Sequence, residues 1–159
     1  MKAKFIYESL SDYLEPKGEN EIINSLSNLS KEELGLKLID ASGKGLTDVV
    51  QYLIKAGVDI NFKDRHGRTA LYKASGRRHE QIVKMLLKAG ADVNIKSDAN
   101  ATALHMASSN EHVQIVKMLL DAGANINVRD TFGHTPLNWA LQCEHGLVAK
   151  LLKTHGAIE

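Results

Sequence analysis

Glycines at Gly57, Gly90, Gly123 and Gly156 are each separated by 33 residues, and this one interval governs most of the chain. Leu38, Leu71, Leu104 and Leu137 keep the interval, as do Asn61, Asn94 and Asn127, then Thr69, Thr102 and Thr135, then His79, His112 and His145. The string QIVKMLL returns unchanged, first at Gln81 and again at Gln114. A fixed period of this length marks stacked units rather than one closed core. No such unit is thick enough to bury its own apolar faces, so each must remove them from water against a neighbour.

Each unit carries the signals of two helices and a turn. TALYKAS and TALHMAS open on a threonine that can accept a bond from a free backbone N–H at a helix start. A short first helix follows. The second places Ile82, Val83 and Leu86, then Ile115, Val116 and Leu119, on one stripe with lysines opposite. It stops where Gly90 or Gly123 can turn left-handed and close the helix end. After it, alternating apolar and polar residues lead to a Gly or Asn tip, the pattern of a hairpin-like turn projecting from the stack.

These units resemble ankyrin repeats. The family pattern D-x-x-G-x-T-P-L-H-x-A is matched by DTFGHTPLNWA from Asp130 to Ala140, and less fully by DRHGRTALYKA from Asp64 and SDANATALHMA from Ser97. The resemblance covers Lys31 to the C-terminus. It implies an all-α solenoid of helix-turn-helix units joined by hairpin-like loops. Four units follow: a degenerate first over 31–63, full ones over 64–96 and 97–129, and a shortened last over 130–159.

Departures from the pattern are few. Asn100 stands where Gly67 and Gly133 form the other tips, a tolerable exchange because Asn enters the left-handed region readily. Arg78, Glu111 and Glu144 stand before the three histidines, where the family usually has glycine. If they keep a left-handed backbone, each costs on the order of 1 kcal/mol; otherwise the turn is reshaped. Lys153 occupies the column of Leu87 and Leu120, as suits a terminal unit facing water.

Residues 1–30 lie outside the period and read as an N-terminal helical cap or docking segment. Ile22, Ile23, Leu26 and Leu29 form a helical stripe, and Ser30 with Glu33 fits a capping box for the next helix. Upstream, Phe5, Ile6, Leu10, Tyr13 and Leu14 suit an amphipathic helix ending before Pro16. It either folds onto the first unit or docks a partner.

Composition narrows the function classes. The 159 residues carry a formal net charge of +1, so no global field points to nucleic acid or membrane. Cys143 is the only cysteine, which fits a reducing, cytoplasmic setting. No apolar run approaches the roughly 18 residues of a membrane span. Catalytic chemistry is not expected, nor a cofactor or metal. Cys143 and His145 are two residues apart and do not share a helix face, no C-x-x-C pairs occur, and ASGKGLTD lacks phosphate-loop spacing. The family resemblance gives His79, His105, His112 and His145 structural roles, whereas His66, His134 and His155 share no phase.

Function is therefore expected on the surface. In ankyrin-like stacks the tips and first helices line one concave face that commonly holds a protein. Carried over, that face includes Arg65, His66 and Arg68, then Asp98, then Phe132 and His134 on the tips. On the first helices it includes Lys73, Met106 and Trp139 in one column, with Arg77, Asn110 and Gln142 beside them.

Charge is uneven along this face. The unit from Asp64 to Lys96 holds eight Lys or Arg against three acidic residues, while no other unit has a positive balance. Arg65, Arg68, Lys73 and Arg77 can converge there on an acidic segment, with arginine offering bidentate contacts; the alternative is a solvated patch that keeps the protein soluble. Phe132 and Trp139, if exposed, supply anchors worth about 2 kcal/mol or more each; otherwise they pack within the last unit. The leading expectation is a monomeric, non-catalytic module gripping an acidic protein partner. Nucleic acid or a phosphate ligand at the same ridge is a weaker alternative, because no stacking aromatics interleave with the charge. A third is an assembly component joined through residues 1–18.

Overall fold

The computed structural model describes Leu26 and residues 28–158. The amphipathic segments expected over Phe5 to Leu14 and around Ile22 and Ile23 lie outside the described residues. Among the described residues eight helices follow in order: α1 (Lys31–Lys44), α2 (Thr47–Lys55), α3 (Ala70–Gly76), α4 (Glu80–Lys88), α5 (Ala103–Ser108), α6 (Val113–Asp121), α7 (Pro136–Gln142) and α8 (Gly146–Thr154). Each consecutive pair packs into a layer. First helices then pack on first helices, α1 on α3, α3 on α5 and α5 on α7, and second helices stack likewise from α2 to α8. The all-α solenoid that the resemblance implies is the architecture observed, and the described residues contain no strand.

The periodic leucines and alanines build the core. Leu38, Leu71, Leu104 and Leu137 are at most 2% exposed, and Ala41, Ala74, Ala107 and Ala140 are buried one turn on. Alanine there lets neighbouring first helices approach closely. On the second helices the buried stripe is Ile82, Val83 and Leu86 in α4 and Ile115, Val116 and Leu119 in α6, with Lys84, Lys88 and Lys117 in water. Ser42, Ser75 and Ser108 repeat at one buried column whose hydroxyls make no hydrogen bond. In the last layer Leu141 takes that column and is 43% exposed, since no described layer packs over it.

Helix ends follow from backbone accounting. Ser30 Oγ accepts the Glu33 amide while Glu33 accepts the Ser30 amide, the expected capping box of α1. Gly90 and Gly123 are left-handed, with φ of 89° and 85°. The amides of Ala91 and Ala124 then reach back to Leu86 and Leu119, closing each end in a Schellman arrangement. The turn between the helices of a layer closes the same way. His79, His112 and His145 donate their amides to Ala74, Ala107 and Ala140, which forces the preceding residue left-handed. Arg78, Glu111 and Glu144 therefore hold φ of 63°, 56° and 59°, and only the first layer supplies a glycine, Gly45.

Layers are also fastened by polar clips. The rings of His79, His112 and His145 donate N–H groups to the Gly43, Ser75 and Ser109 carbonyls of the preceding layer, at 3.2, 2.8 and 3.1 Å. On the opposite edge Asn61, Asn94 and Asn127 each accept the amide of a residue 31 positions on. The periodic leucines, glycines, histidines and asparagines thus each have an assigned role.

Two stability measurements check this account. Glu144→Gly should exceed Glu144→Ala in stability by about 1 kcal/mol, because only glycine enters the left-handed region without strain; equal melting temperatures would show that the turn is unstrained. Leu104→Ala should cost about 2–5 kcal/mol in urea unfolding, as for a fully buried leucine.

Candidate functional site

Three loop tips project from the stack. In the first, Asp64 accepts the amides of His66 and Arg68 on Oδ1, at 2.9 and 3.0 Å, and the Arg68 guanidinium on Oδ2. Partial burial opposes ionisation of Asp64. The bonds from the Arg68 side chain and from the Arg68 and His66 amides outweigh it and hold the carboxyl below its ordinary range. Asp130 does the same in the third tip for Phe132 and His134, both at 2.9 Å. In the second tip Ser97 stands in the aspartate column and forms no equivalent clamp; Asn100 makes that turn at φ 55°.

The tips are joined into a ladder. The Asp98 amide donates to the His66 carbonyl and the Thr131 amide to the Ala99 carbonyl, each at 3.0 Å. Gly67 is required here twice over. Its φ is 70°, and a β-carbon would lie 2.7 Å from Asp98 Oδ1 and 2.9 Å from the Asp98 nitrogen.

All twelve surface residues singled out from the sequence are at least partly accessible. Arg65, His66, Arg77, Asp98, Asn110, Phe132 and Gln142 are exposed, and Arg68, Lys73, Met106, His134 and Trp139 are half-buried. Of the basic residues, Arg68, Lys73 and Arg77 form one electrostatic cluster. Partial burial, then the Arg68 charge, lower the pKa of Lys73; Arg77 adds to this, while Asp64 and Asp40 oppose it. Arg65 stands apart at the tip, donating through Nε to His66 Nε2 at 3.1 Å. Along the helix column, the Lys73 stem lies over Gly43 and Met106 over Gly76. Asn110 is turned inward to the Met106 carbonyl.

The last layer holds Phe132 and Trp139, the two aromatic residues expected on this face. Phe132 is 80% exposed, with its ring centroid 6.4 Å from that of His134. Gln142 Nε2 and His134 Nε2 are 3.2 Å apart. Trp139 differs from Phe132: its indole N–H is committed to Asp130 Oδ2 at 2.9 Å, and it meets His105 edge-on at 6.1 Å. Desolvation again works against the Asp130 carboxylate, and the His134 amide, the Trp139 indole and the Phe132 amide together hold its pKa low.

Fully buried His105 links this cluster to the layer below. Its Nδ1 accepts the Thr102 amide at 3.1 Å, so Nε2 carries the proton and donates to the His134 carbonyl. Burial lowers its pKa, against the pull of that carbonyl and of Asp130.

An open recess of about 460 Å³ lies at the N-terminal edge of the tips, lined by Glu32 and Leu36 of α1 and by Phe62, Lys63, Asp64, Arg65 and Arg68. Leu36, Phe62 and the two aspartate clamps were not singled out from the sequence. The clamps could have been found from the D-x-x-G spacing, whereas a recess between elements leaves no local signal. Among the described residues no group of three His, Cys, Asp or Glu could hold a metal ion, and no helix is long and apolar enough to cross a membrane.

Comparison with known families agrees with this geometry. Residues 17–97 match a family model described as ankyrin repeats in three copies, and residues 86–140 one described as ankyrin repeats in many copies. The chain belongs to the ankyrin repeat family, whose arrays are generally protein–protein interaction modules. No curated protein matches it.

The protonation state of His105 has a measurable consequence. Its folded pKa lies below the ordinary value of about 6.5, so the unfolded chain binds the proton first and stability falls as pH drops through that value. Asp130 adds a loss at lower pH, as its depressed carboxyl is protonated. In His105→Asn the amide can still accept from Thr102, as Asn138 does from Thr135 at 2.8 Å in the last layer. That variant should lose about 1 kcal/mol at neutral pH, from the bond to the His134 carbonyl. It should also lose most of the decline between about pH 7 and 5. Urea titrations across that range that show the same slope in both proteins would remove His105 as its source.

Proposed function

We propose that the array is a non-catalytic binding module that holds an acidic segment of a partner protein on the face built from the tips and first helices. The Arg68, Lys73 and Arg77 cluster carries this reading. It concentrates positive charge in one layer of a chain whose net charge is only +1, and the partial burial of Lys73 strengthens its attraction to a carboxylate that meets it. Asp64 holds Arg68 through Nε and one Nη, so Lys73 and Arg77 are the charges left for a partner carboxylate.

Phe132 is the natural second anchor on this face. It presents nearly its whole ring to solvent two layers away from the cluster, on a tip clamped by Asp130. Trp139 contributes its face alone, because its N–H is already used. The acidic segment would cross the array from the basic layer to this ring, with Met106 between them.

Lys73→Glu with Arg77→Glu should weaken partner binding by at least about tenfold while leaving the circular dichroism spectrum unchanged, and Phe132→Ala should cost about 2 kcal/mol. Wild-type affinity should fall as salt is raised, since exposed charges are screened. Unchanged affinity of the double variant for the same partner would refute the role of the basic layer.

A further inference from the structure

The geometry points to a docking site for an extended, acidic and apolar segment of a partner protein at the N-terminal end of the tip ladder, beside α1. The ladder runs in one direction: each tip donates an amide to the carbonyl of the tip before it, Thr131 to Ala99 and Asp98 to His66. One period earlier the donor is the Arg65 amide. The position that should accept it is residue 33, which in this chain lies inside α1.

α1 is 14 residues long where α3, α5 and α7 have six or seven, and the extra helix occupies the place of a loop tip. A helix interior uses its carbonyls internally. Among the described residues the Arg65 N–H has no hydrogen-bond partner, and the ladder ends on an unused donor.

What surrounds that donor sets the chemistry of the occupant. The recess beside it has an apolar floor, with Phe62 seated over Gly35 and Leu36 44% exposed. Lys63 and Arg65 are exposed on its rim and make no ion pair among the described residues, while Arg68 is already matched by Asp64. Glu32 on the α1 side repels an acidic group, so a carboxylate is placed against Lys63 and Arg65. An extended segment offers free backbone carbonyls along its length, whereas a helical one spends all but its last four internally. Backbone pairing at an exposed edge, with an adjacent pocket selecting side chains, is an established mode of peptide capture.

This inference rests on the reading of the array as a protein-binding module and adds a separate contact point, so the test must tell the two apart. Random linear peptides displayed on phage would be selected on the full chain. Selected peptides would then be titrated into isotope-labelled protein and followed by amide resonances. Peptides combining an acidic and an apolar residue are expected, with the Arg65 amide shifted downfield and its hydrogen exchange slowed at least tenfold on binding, and with shifts at Leu36 and Phe62. Leu36→Lys, at an exposed position, and Lys63→Glu with Arg65→Glu should each weaken binding at least tenfold, whereas Lys117→Glu, on the water-facing side of α6, should leave it unchanged.

Peptides that perturb only the Lys73 to Trp139 column would overturn this site and leave the broader reading standing. An Arg65 amide already protected without peptide would also overturn it, because another part of the chain would then fill the rung. Failure to select any binding peptide would count against both.

Discussion

Every feature of this protein depends on contact between consecutive layers. A single pair of short helices exposes one apolar face to each side, and the leucine and alanine columns are buried only because another layer lies against them. That is the reason for the period. A residue that meets its own counterpart one layer away must be compatible with it, so a workable solution at one interface is repeated at the next. Small side chains at Ala74, Ser75 and Gly76 set how closely α3 and α5 approach. The exposed Leu141 and Lys153 show the same columns released from that constraint in the last layer.

Dispersion and burial bring the layers together, and polar clips fix their register. The histidine rings and the asparagines fasten opposite edges of each interface, the histidines at part-buried carbonyls and the asparagines at exposed amides. The left-handed Arg78, Glu111 and Glu144 show which requirement dominates. The Schellman closure that presents each histidine to the previous layer is kept even though it strains a residue other than glycine. A loss on the order of 1 kcal/mol in the turn is outweighed by the closed helix end and the clip it positions.

The same regularity makes the surface readable as a series of variations. Tips clamped by Asp64 and Asp130 alternate with one that has Ser97 instead, and the larger number of basic residues in the second layer leaves Lys73 among arginines. Trp139 and Asp130 share a bond that turns a candidate anchor partly into a structural residue. The first layer varies most, since α1 continues through the place of a tip and ends the ladder at Arg65. Variation on a fixed frame is how an interaction module acquires a specific face, and here it concentrates charge at one end and aromatic surface at the other.

The sequence by itself determined the layers, the helix stripes, the glycine closures and the capping box at Ser30. Each of these is a short-range or strictly periodic requirement, visible wherever residue type and spacing agree. It also marked Arg78, Glu111 and Glu144 as either strained or reshaped, without separating the two. Only the tertiary structure decided that they are left-handed, that Arg68 is held by Asp64, that Trp139 is committed to Asp130, and that Leu36 and Phe62 frame a recess. The physical reason is the same in each case. Such contacts depend on distances between elements and on how hydrogen bonds are shared once those elements meet, and neither is written in the identity or spacing of the residues involved.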